Sequence, residues 1–371
     1  MPRRILLHAP SLAGGGAERV IVLMANELAA RGHDVTLLTW NGTGPNGTLR
    51  SPQVQLVDFD YPIIDGGFGK SATVKGLWRM GGVIRRCNPE IVYSGPEFAN
   101  LVMALALYLA GSRAAFFPSF HAAADLADDG IGSRLAIMLR ALIARRATRA
   151  IAVSAGVGRE VAASGFPQRK VAVINNPLPF ALGQETGVHD WQAALAAMGD
   201  GPVIATAGRF VAVKDHRTLL DAFSRLLARR PARLVLFGDG PLGPELRAHA
   251  EALGIAGRVL FPGYVSEPAA CYAAADLFVL SSTSEGFGNV LIEAMAAGVP
   301  VVSTDAPHGP REILADGDYG ALVPVGDADA LARAMAEMLD HPTAAAKLRH
   351  RAADFSIERI GDQYEALLLQ A

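Results

Sequence analysis

The sequence of 371 residues contains only two cysteines, Cys87 and Cys271. Two cysteines cannot form a disulfide framework, and their spacing is not that of metal ligands. Long apolar runs are also lacking: the longest, Leu101 to Ala110, is well short of the ~20 residues that a membrane span requires. Residues Met1 to His8 include two arginines, but their apolar stretch is too short for a secretory signal and predicts a first strand. We therefore expect a cytoplasmic protein.

Charge is sparse, since charged residues make up 19% of the chain and hydrophobic residues 51%. This balance indicates a globular protein, and the length predicts two domains. The total charge of −2 hides an asymmetry, because residues 1–180 carry +7 and residues 181–371 carry −9. The basic first half is explained either by an anionic partner or by undirected drift in composition.

The first half has the pattern of a parallel α/β domain. An apolar strand from Arg4 is followed by three glycines, a helical pattern from Ala17 to Arg31 that stops at Gly32, and a strand from Val35. This order predicts a βαβ unit. Helical stretches alternate with further predicted strands at Ile91–Ser94, Ala114–Ser119, Ala150–Ser154 and Lys170–Ile174.

The pattern restarts after a stretch from Asn175 to Gly201 that we interpret as a linker. The second half has a predicted amphipathic helix from Thr218 to Arg229 and strands that start at Val203, Arg233, Val259, Leu277 and Val299. We expect two Rossmann-like, doubly wound domains, 1–178 and 179–354, that face each other across a cleft. Ligands of such folds bind at the carboxyl ends of the strands.

The segment from Ser284 to Pro300 carries the strongest chemical signal. Gly286 and Gly288 allow a tight turn before a predicted helix, whose first amides and dipole favour a phosphate. Glu285 precedes the turn and Glu293 lies about one helical turn beyond it, so both carboxylates can accept hydrogen bonds from sugar hydroxyls. The alternative is that Glu293 only complements the helix dipole and that Glu285 is a solvated acid.

A second signal follows the first strand of the second half. Arg209 can grip a phosphate through its planar guanidinium, and Lys214 adds a compact charge. Such cations stabilise the negative charge that develops when a nucleotide diphosphate leaves. The alternative is that both are ordinary surface cations in a loop.

Over nearly its whole length the chain resembles the family 4 retaining glycosyltransferases of the GT-B fold. The segments that carry the resemblance, in this order, are Gly14 to Arg19, His121, Val173 to Pro177, Gly208 to Lys214, Phe237 to Pro241, Phe261 to Val265 and Glu285 to Glu293. The resemblance implies a two-domain transferase with a nucleotide-diphosphate sugar as substrate and no metal or other cofactor. We also expect a C-terminal helix, about 355–371, to pack back on the first domain.

The resemblance also implies roles for particular residues. Arg209 and Lys214 would hold the donor diphosphate, and Glu293 would bind the ribose. The remaining donor contacts would come from Gly15, Gly16, Gly238, Tyr264, Glu285, Gly286, Phe287, Gly288, Asn289 and Val290. Gly15 and Gly16 could instead approach the acceptor. His121 would contact the transferred sugar through a hydrogen bond, although a lone histidine at a strand end is more often structural.

The family is thought to retain anomeric configuration by a same-face attack, in which the leaving phosphate helps to deprotonate the acceptor. Glu285 and Glu293 are therefore not interpreted as nucleophile and acid of the double-carboxylate scheme. Asp58 and Asp60 have the spacing of a metal-binding motif of another glycosyltransferase fold, and we interpret them as a strand end.

Two further segments bear on the acceptor. Residues 130–159 contain six arginines and no acid, which suggests weak contact with an anionic membrane surface and a saccharide acceptor on a polyprenyl diphosphate. The segment from Asp305 to Leu314 resembles a version found in enzymes that extend undecaprenyl-diphosphate glycans, and this favours UDP-sugars and bacterial polysaccharide assembly. Nucleic acid is not an expected partner.

Three alternatives stay open. A mannosyltransferase that uses GDP-mannose would have the same motifs. A nucleotide-sugar epimerase would share the two-domain architecture, but it needs acid and base residues that we cannot identify. A non-catalytic nucleotide-sugar-binding protein is disfavoured because Arg209, Lys214, Glu285 and Glu293 are all present.

Overall fold

The structure is a computed structural model and describes residues 1–63, 69–121, 138–179, 187, 189–265 and 267–370. The chain forms two compact units. Unit 1 is Met1–Pro179 with Ile357–Ala371, and unit 2 is Phe180–Ser356. Each unit has its own parallel sheet and its own hydrophobic core.

Unit 1 is built on a seven-stranded parallel sheet with the order β3-β2-β1-β4-β5-β6-β7. Its strands are β1 (Arg4–His8), β2 (Asp34–Thr39), β3 (Gln55–Asp58), β4 (Ile91–Ser94), β5 (Ala115–Phe120), β6 (Ala150–Ala152) and β7 (Val171–Val173). The helices between them, in the part of the chain that is described, are α1 (Gly16–Ala30), α2 (Lys70–Cys87), α3 (Glu97–Ala110), α4 (Arg140–Arg146) and α5 (Ala155–Ala163).

Local sequence explains the first of these elements. Apolar side chains of β1 are fully buried because helices cover a parallel sheet. Helix α1 presents Val20, Met24 and Leu28 to the core at helical spacing. It ends at Ala30 with Arg31 as its cap, and Gly32 follows with a φ of +88°, which favours glycine. The predicted βαβ unit is therefore confirmed, as is the interpretation of Asp58 as a strand end.

Unit 2 has a six-stranded parallel sheet with the order β10-β9-β8-β11-β12-β13. Its strands are β8 (Val203–Ala207), β9 (Arg233–Phe237), β10 (Val259–Gly263), β11 (Leu277–Leu280), β12 (Val301–Thr304) and β13 (Ala321–Val323). Its helices, within the described residues, are α6 (Asp190–Ala197), α7 (His216–Leu227), α8 (Gly243–Ala252), α9 (Pro268–Ala273), α10 (Asn289–Ala297), α11 (Pro310–Ile313), α12 (Ala328–Asp340) and α13 (Ala345–Ala352).

Two Rossmann-like α/β units are therefore present, as the sequence predicts. The interpretation of residues 175–201 as a linker is wrong in part, because α6 lies within it. Its N-terminus is closed by a reciprocal capping box between His189 and Gln192. Residues 180–186 and 188 of the same stretch lie outside the described residues.

The chain returns to unit 1 through a last helix, α14 (Ile357–Leu368). Its Tyr364 is buried, and the Tyr364 hydroxyl lies 3.2 Å from that of Tyr93. Arg31 of α1 donates to Asp362 at 2.7 Å and to Glu365 at 2.8 Å. The hydrogen bond from Arg31 holds the pKa of Glu365 below its usual range. Apolar packing and a charge cluster thus fix α14 to unit 1.

Candidate active site

The centre of the candidate site in unit 2 is an ion pair between Lys214 and Glu285. Lys214 Nζ donates to Glu285 Oε1 at 2.5 Å, and Ser282 Oγ donates to the same oxygen at 2.6 Å. The Glu285 side chain is 9% exposed and that of Lys214 is 22% exposed. Both donors therefore meet one oxygen of a nearly buried carboxylate, and Oε2 is left as the acceptor for a ligand hydroxyl.

Adjacent strands bring this pair together. Lys214 follows β8 and Glu285 follows β11, and these two strands are hydrogen-bonded neighbours. Beyond their carboxyl ends the loops are joined by a hydrogen bond from Thr283 N to Val213 O at 2.8 Å. Ser281 Oγ also donates to the Lys214 carbonyl at 2.8 Å. The backbone on both sides of the ion pair is thus fixed.

The turn after Glu285 leads into α10. Gly288 is the residue before the helix and has a φ of +100°, which explains the glycine. Gly286, Phe287 and Gly288 are buried, whereas Asn289 and Val290 are partly exposed. Helix α10 begins at Asn289, and the dipole at a helix N-terminus favours an anion, so this turn is a suitable binding site for a phosphate.

The turn is supported from behind. Phe287 packs edge-on against Phe355 with ring centroids 5.5 Å apart. A Cβ on Gly309 would lie 1.7 Å from the carbonyl oxygen of Phe287, so the loop after β12 contacts the turn directly. The buried side of the turn therefore cannot shift without displacing a second loop.

Glu293 lies in α10 and is buried, with 6% exposure. Tyr272, in α9, is buried too and its hydroxyl donates to Glu293 Oε2 at 2.6 Å. Burial, and then the charge of Glu293, raises the pKa of the neighbouring Cys271 to about 12. Glu293 is thus held by a neutral donor and lies beside a thiol that stays protonated.

Arg209 is exposed, and no ion pair to its guanidinium is found within the described residues. Its loop runs beside the loop after β9, where Phe210 N donates to Asp239 O at 2.9 Å. A Cβ on Gly238 would lie 2.0 Å from the carbonyl oxygen of Gly208, so only glycine allows this approach. Tyr264, which follows β10, is 57% exposed.

The predicted residues of unit 1 form a separate group. Gly15 and Gly16 are exposed at the start of α1. A Cβ on Gly15 would lie 2.0 Å from Glu18 Oε2, so the carboxylate of Glu18 folds over this glycine. A negative charge in the first turn complements the helix dipole, and it would repel a phosphate at the same place.

His121 follows β5. Its Nε2 lies 3.0 Å from Ser119 Oγ, which donates to the Ser94 carbonyl at 2.9 Å. Because that hydroxyl hydrogen is committed to Ser94, Nε2 of His121 carries the proton and donates. Burial lowers the pKa of His121 to about 4, so the ring is neutral near pH 7. This state fits the predicted hydrogen-bonding role.

The arginines of residues 130–159 do not form one surface. Arg134 lies outside the described residues. Arg140 is 1% exposed, where it pairs with Glu97 at 3.4 Å. Arg146 donates to the carbonyls of Ser112 and Ala114 at 3.0 and 2.9 Å. Helix packing therefore turns Arg140 inward, and the guanidinium of the half-buried Arg146 binds backbone carbonyls.

The structure thus brings together Lys214, Glu285 and the turn before α10, with the loops of Arg209 and Gly238 side by side in the same unit. Sequence reasoning missed Ser282 and Tyr272, which hold the two glutamates. Ser282 could have been found, since it follows a buried strand and precedes Glu285 by three residues. Tyr272 could not have been identified from a sequence motif, because it lies 21 residues from Glu293. Among the described residues, no group of three or more potential metal ligands is present.

Two models of known protein families match the chain, one in each unit. The family model described as "Glycosyl transferases group 1" matches residues 188–357, and the model described as "Glycosyltransferase Family 4" matches residues 14–182. The lipopolysaccharide core biosynthesis glycosyltransferase LpsE of Rhizobium meliloti is 30% identical over 366 residues, which cover 95% of this chain and 96% of that protein.

Two further proteins are similar to the chain, one over part of its sequence and one in its fold. The N-acetylgalactosamine-N,N'-diacetylbacillosaminyl-diphospho-undecaprenol 4-alpha-N-acetylgalactosaminyltransferase of Campylobacter jejuni is 35% identical over 137 residues, 37% of either chain. The crystal structure of Anabaena HepE in complex with UDP and glucose aligns with a TM-score of 0.81 at 23% identity over 99% of both chains. The second comparison bears on the fold alone.

Proposed function

The chain belongs to the family 4 glycosyltransferases, and from this premise we propose that it moves a hexose or an N-acetylhexosamine from a nucleotide-diphosphate sugar to a saccharide acceptor. The observation that carries the proposal is the Lys214–Glu285 pair beside the glycine turn of α10. A cation, a carboxylate and a helix N-terminus at one place match a sugar joined to a diphosphate.

Each part of the donor has a counterpart in unit 2. Lys214 and the exposed Arg209 hold the diphosphate, together with the amides of Asn289 and Val290. Glu285 accepts hydroxyls of the transferred sugar through Oε2, beside Gly286, Phe287 and Gly288. Glu293 binds the ribose, and Gly238 and Tyr264 line the nucleoside. Backbone hydrogen bonds join the loops of Lys214 and Glu285, and those of Arg209 and Gly238, which supports a pre-positioned site.

The chemical step needs charge stabilisation at the leaving diphosphate. Lys214 and Arg209 supply two positive charges there, so the proposed reaction proceeds without a metal ion. His121, whose ring is neutral, would contact the transferred sugar through a hydrogen bond, while Gly15 and Gly16 approach the donor or the acceptor. The proposed mechanism retains anomeric configuration by same-face attack of the acceptor hydroxyl, which passes its proton to the leaving phosphate.

We favour UDP-sugars as donors and a polyprenyl-diphosphate-linked saccharide as acceptor, in bacterial surface polysaccharide assembly. The similarity to the lipopolysaccharide core enzyme LpsE and to the undecaprenol-linked transferase of C. jejuni supports this choice. UDP in the complex of the similarly folded HepE is consistent with the base.

The test is incubation of the purified protein with radiolabelled UDP- and GDP-sugars, each with lipid-extracted saccharide acceptors. We expect label from a UDP-sugar in the lipid fraction and the same anomeric configuration in product and donor. Transfer from GDP-mannose alone would indicate a mannosyltransferase. Isomerised donor without transfer would indicate an epimerase, and binding without either reaction would refute catalysis.

A further inference from the structure

A cavity of about 560 Å³ lies at the edge of the unit 1 sheet where the strands begin. Arg3 and Arg4 line it at the start of β1, and Arg113 lines it shortly before β5. Arg85, from the last turn of α2, completes a set of four arginines. His121 and the glycine loop follow the opposite ends of their strands, so this cavity is distinct from the predicted ligand contacts of unit 1.

The cavity is strongly positive. Its single acid, Glu90, is bonded by Arg3 at 2.8 Å and by the amide of Arg4 at 3.1 Å, and the hydrogen bond from Arg3 lowers the pKa of Glu90. Arg85 and Arg113 are exposed and form no ion pair with any described residue. Two unpaired guanidinium groups around a cavity are suited to a phosphate-bearing group.

An exposed apolar surface adjoins the cavity. On α2, Trp78 is 65% exposed and Val74 is 59% exposed. Trp78 and Arg85 are seven residues apart, about two helical turns, so they lie on one face of α2. Tyr108 and Leu109, at the end of α3 beside the cavity, are 50% and 49% exposed. Large apolar side chains that are exposed to water as a group are typical of surfaces that bind a partner or a membrane.

Helix α2 combines these features along its length. Its 18 residues include Lys75, Arg79, Arg85 and Arg86 but no acid. Basic residues together with exposed tryptophan and tyrosine are typical of surfaces that lie at the boundary of an anionic bilayer. On such surfaces a tryptophan enters the headgroup region while basic side chains bind lipid phosphates.

We propose that unit 1 docks on an anionic lipid bilayer through this face, which we call the α2–α3 face: Val74, Trp78, Tyr108 and Leu109 with Arg85, Arg113 and the arginine cavity. The lipid phosphate occupies the cavity, and the apolar side chains enter the headgroup layer. The docking proposal deepens the proposed function, since a polyprenyl-linked acceptor lies in a membrane. Its biological purpose rests on that function, but the binding to lipid does not. The face lies outside residues 130–159, whose weak membrane contact stays a prediction.

The test is co-sedimentation of the full chain with vesicles of pure phosphatidylcholine and with vesicles containing phosphatidylglycerol. We expect strong binding only to the anionic vesicles. The double variant Arg85→Glu/Arg113→Glu should lower the partition coefficient at least about tenfold, since each cation near the surface contributes to attraction. Trp78→Ser should lower it about tenfold on anionic vesicles through loss of the aromatic anchor.

The matched control is Arg229→Glu/Arg333→Glu, which changes the net charge equally at two exposed arginines of unit 2. We expect this control to retain at least half of the wild-type binding. Equal loss in both double variants would mean that net charge alone acts, and unchanged binding in Arg85→Glu/Arg113→Glu would overturn the proposed face. Equal or negligible binding to neutral and anionic vesicles would refute it as well.

A separate measurement keeps this proposal apart from the proposed function. UDP binding in solution should be unchanged in all of these variants, because none touches the site of unit 2. Wild-type protein that binds anionic vesicles but neither binds UDP nor transfers sugar would refute the function and leave the docking face intact. Variants that lose vesicle binding but still transfer sugar to a water-soluble acceptor would support the face.

Discussion

The two units share one architecture but differ in how their buried polar side chains are paired and protonated. In unit 2 the buried carboxylates Glu285 and Glu293 have partners at 2.5–2.6 Å. In unit 1 the buried polar groups include His8 and His121, whose pKa values burial lowers to about 3 and about 4. The comparison teaches that unit 2 holds its buried carboxylates in a fixed arrangement, whereas unit 1, beside its buried Arg140–Glu97 pair, keeps two buried histidines neutral.

Acidification should produce the largest difference in stability between the two units. His8 and His121 in unit 1, and His216 in unit 2 with a pKa lowered to about 4 by burial and by the charge of Lys214, are neutral when folded. The unfolded chain takes up these protons below its ordinary pKa of about 6.5, so stability falls as the pH drops through 6.5 toward 4. At pH 5 the loss is about 2 kcal/mol per histidine, or about 4 kcal/mol in unit 1.

Hydrogen exchange at pH 7 and pH 5, with peptides assigned to each unit, measures this difference. Unit 1 should lose about twice as much opening free energy as unit 2. The variant His8→Gln removes one titrating group and should reduce the pH dependence of unit 1 alone. Equal losses in both units would contradict the comparison.

Removal of Lys214 tests whether unit 2 depends on its fixed charges. We expect Lys214→Ala to lower kcat about 10²-fold, because it removes stabilisation of the leaving diphosphate. It also leaves Glu285 as an unpaired buried carboxylate, a change that costs about 3–5 kcal/mol in comparable pairs. Lys214→Met/Glu285→Gln should recover stability in urea unfolding but not turnover. Unchanged turnover in Lys214→Ala would refute the assigned role.

A smaller effect should distinguish the two helix-turn glutamates. Glu293→Ala should weaken UDP binding about tenfold, since it removes hydrogen bonds from ribose hydroxyls to a charged acceptor. Glu18→Ala, the matched change at the first turn of α1, should alter UDP affinity less than about twofold. Isothermal titration calorimetry measures both. If Glu18→Ala weakened UDP binding as much as Glu293→Ala, the assignment of the nucleotide to unit 2 would fail.

The smallest expected effect concerns the support of Glu293. Tyr272→Phe removes one hydrogen bond to the carboxylate and should weaken UDP binding about threefold to fivefold. Thermal unfolding should change little, because the ring still packs against Phe278. An affinity equal to wild type would mean that Glu293 is positioned by its other contacts alone.

Much of this site could be predicted because the information is local. Glycines at a strand-to-helix turn, and a lysine and a glutamate that each follow a strand, can be recognised without knowledge of distant packing. The Lys214–Glu285 pair follows once β8 and β11 are neighbours. Gly238 was expected beside the nucleoside, and its close contact with Gly208 explains the glycine.

The other features could not be predicted because they depend on which side of a helix packs against the sheet. Arg140 and Trp78 have opposite intrinsic preferences for water, yet the arginine is 1% exposed and the tryptophan 65% exposed. The sequence therefore did not show that Arg140 is buried within the basic segment, and the α2–α3 face was missed. Helix α6 was interpreted as part of a linker because prolines and glycines surround a short helical pattern.

The return of α14 makes unit 2 an insertion into unit 1. The apolar residues of α14 complete the core formed by β1 and α1, and these elements are separated in the chain by the whole of unit 2. During synthesis unit 2 is continuous and can fold as soon as it emerges, whereas unit 1 must wait for residues 357–368 before its interior is closed. Ribosome-bound chains that stop near residue 356 should therefore carry an open first unit that attracts chaperones, beside a second unit that is already protected from proteases.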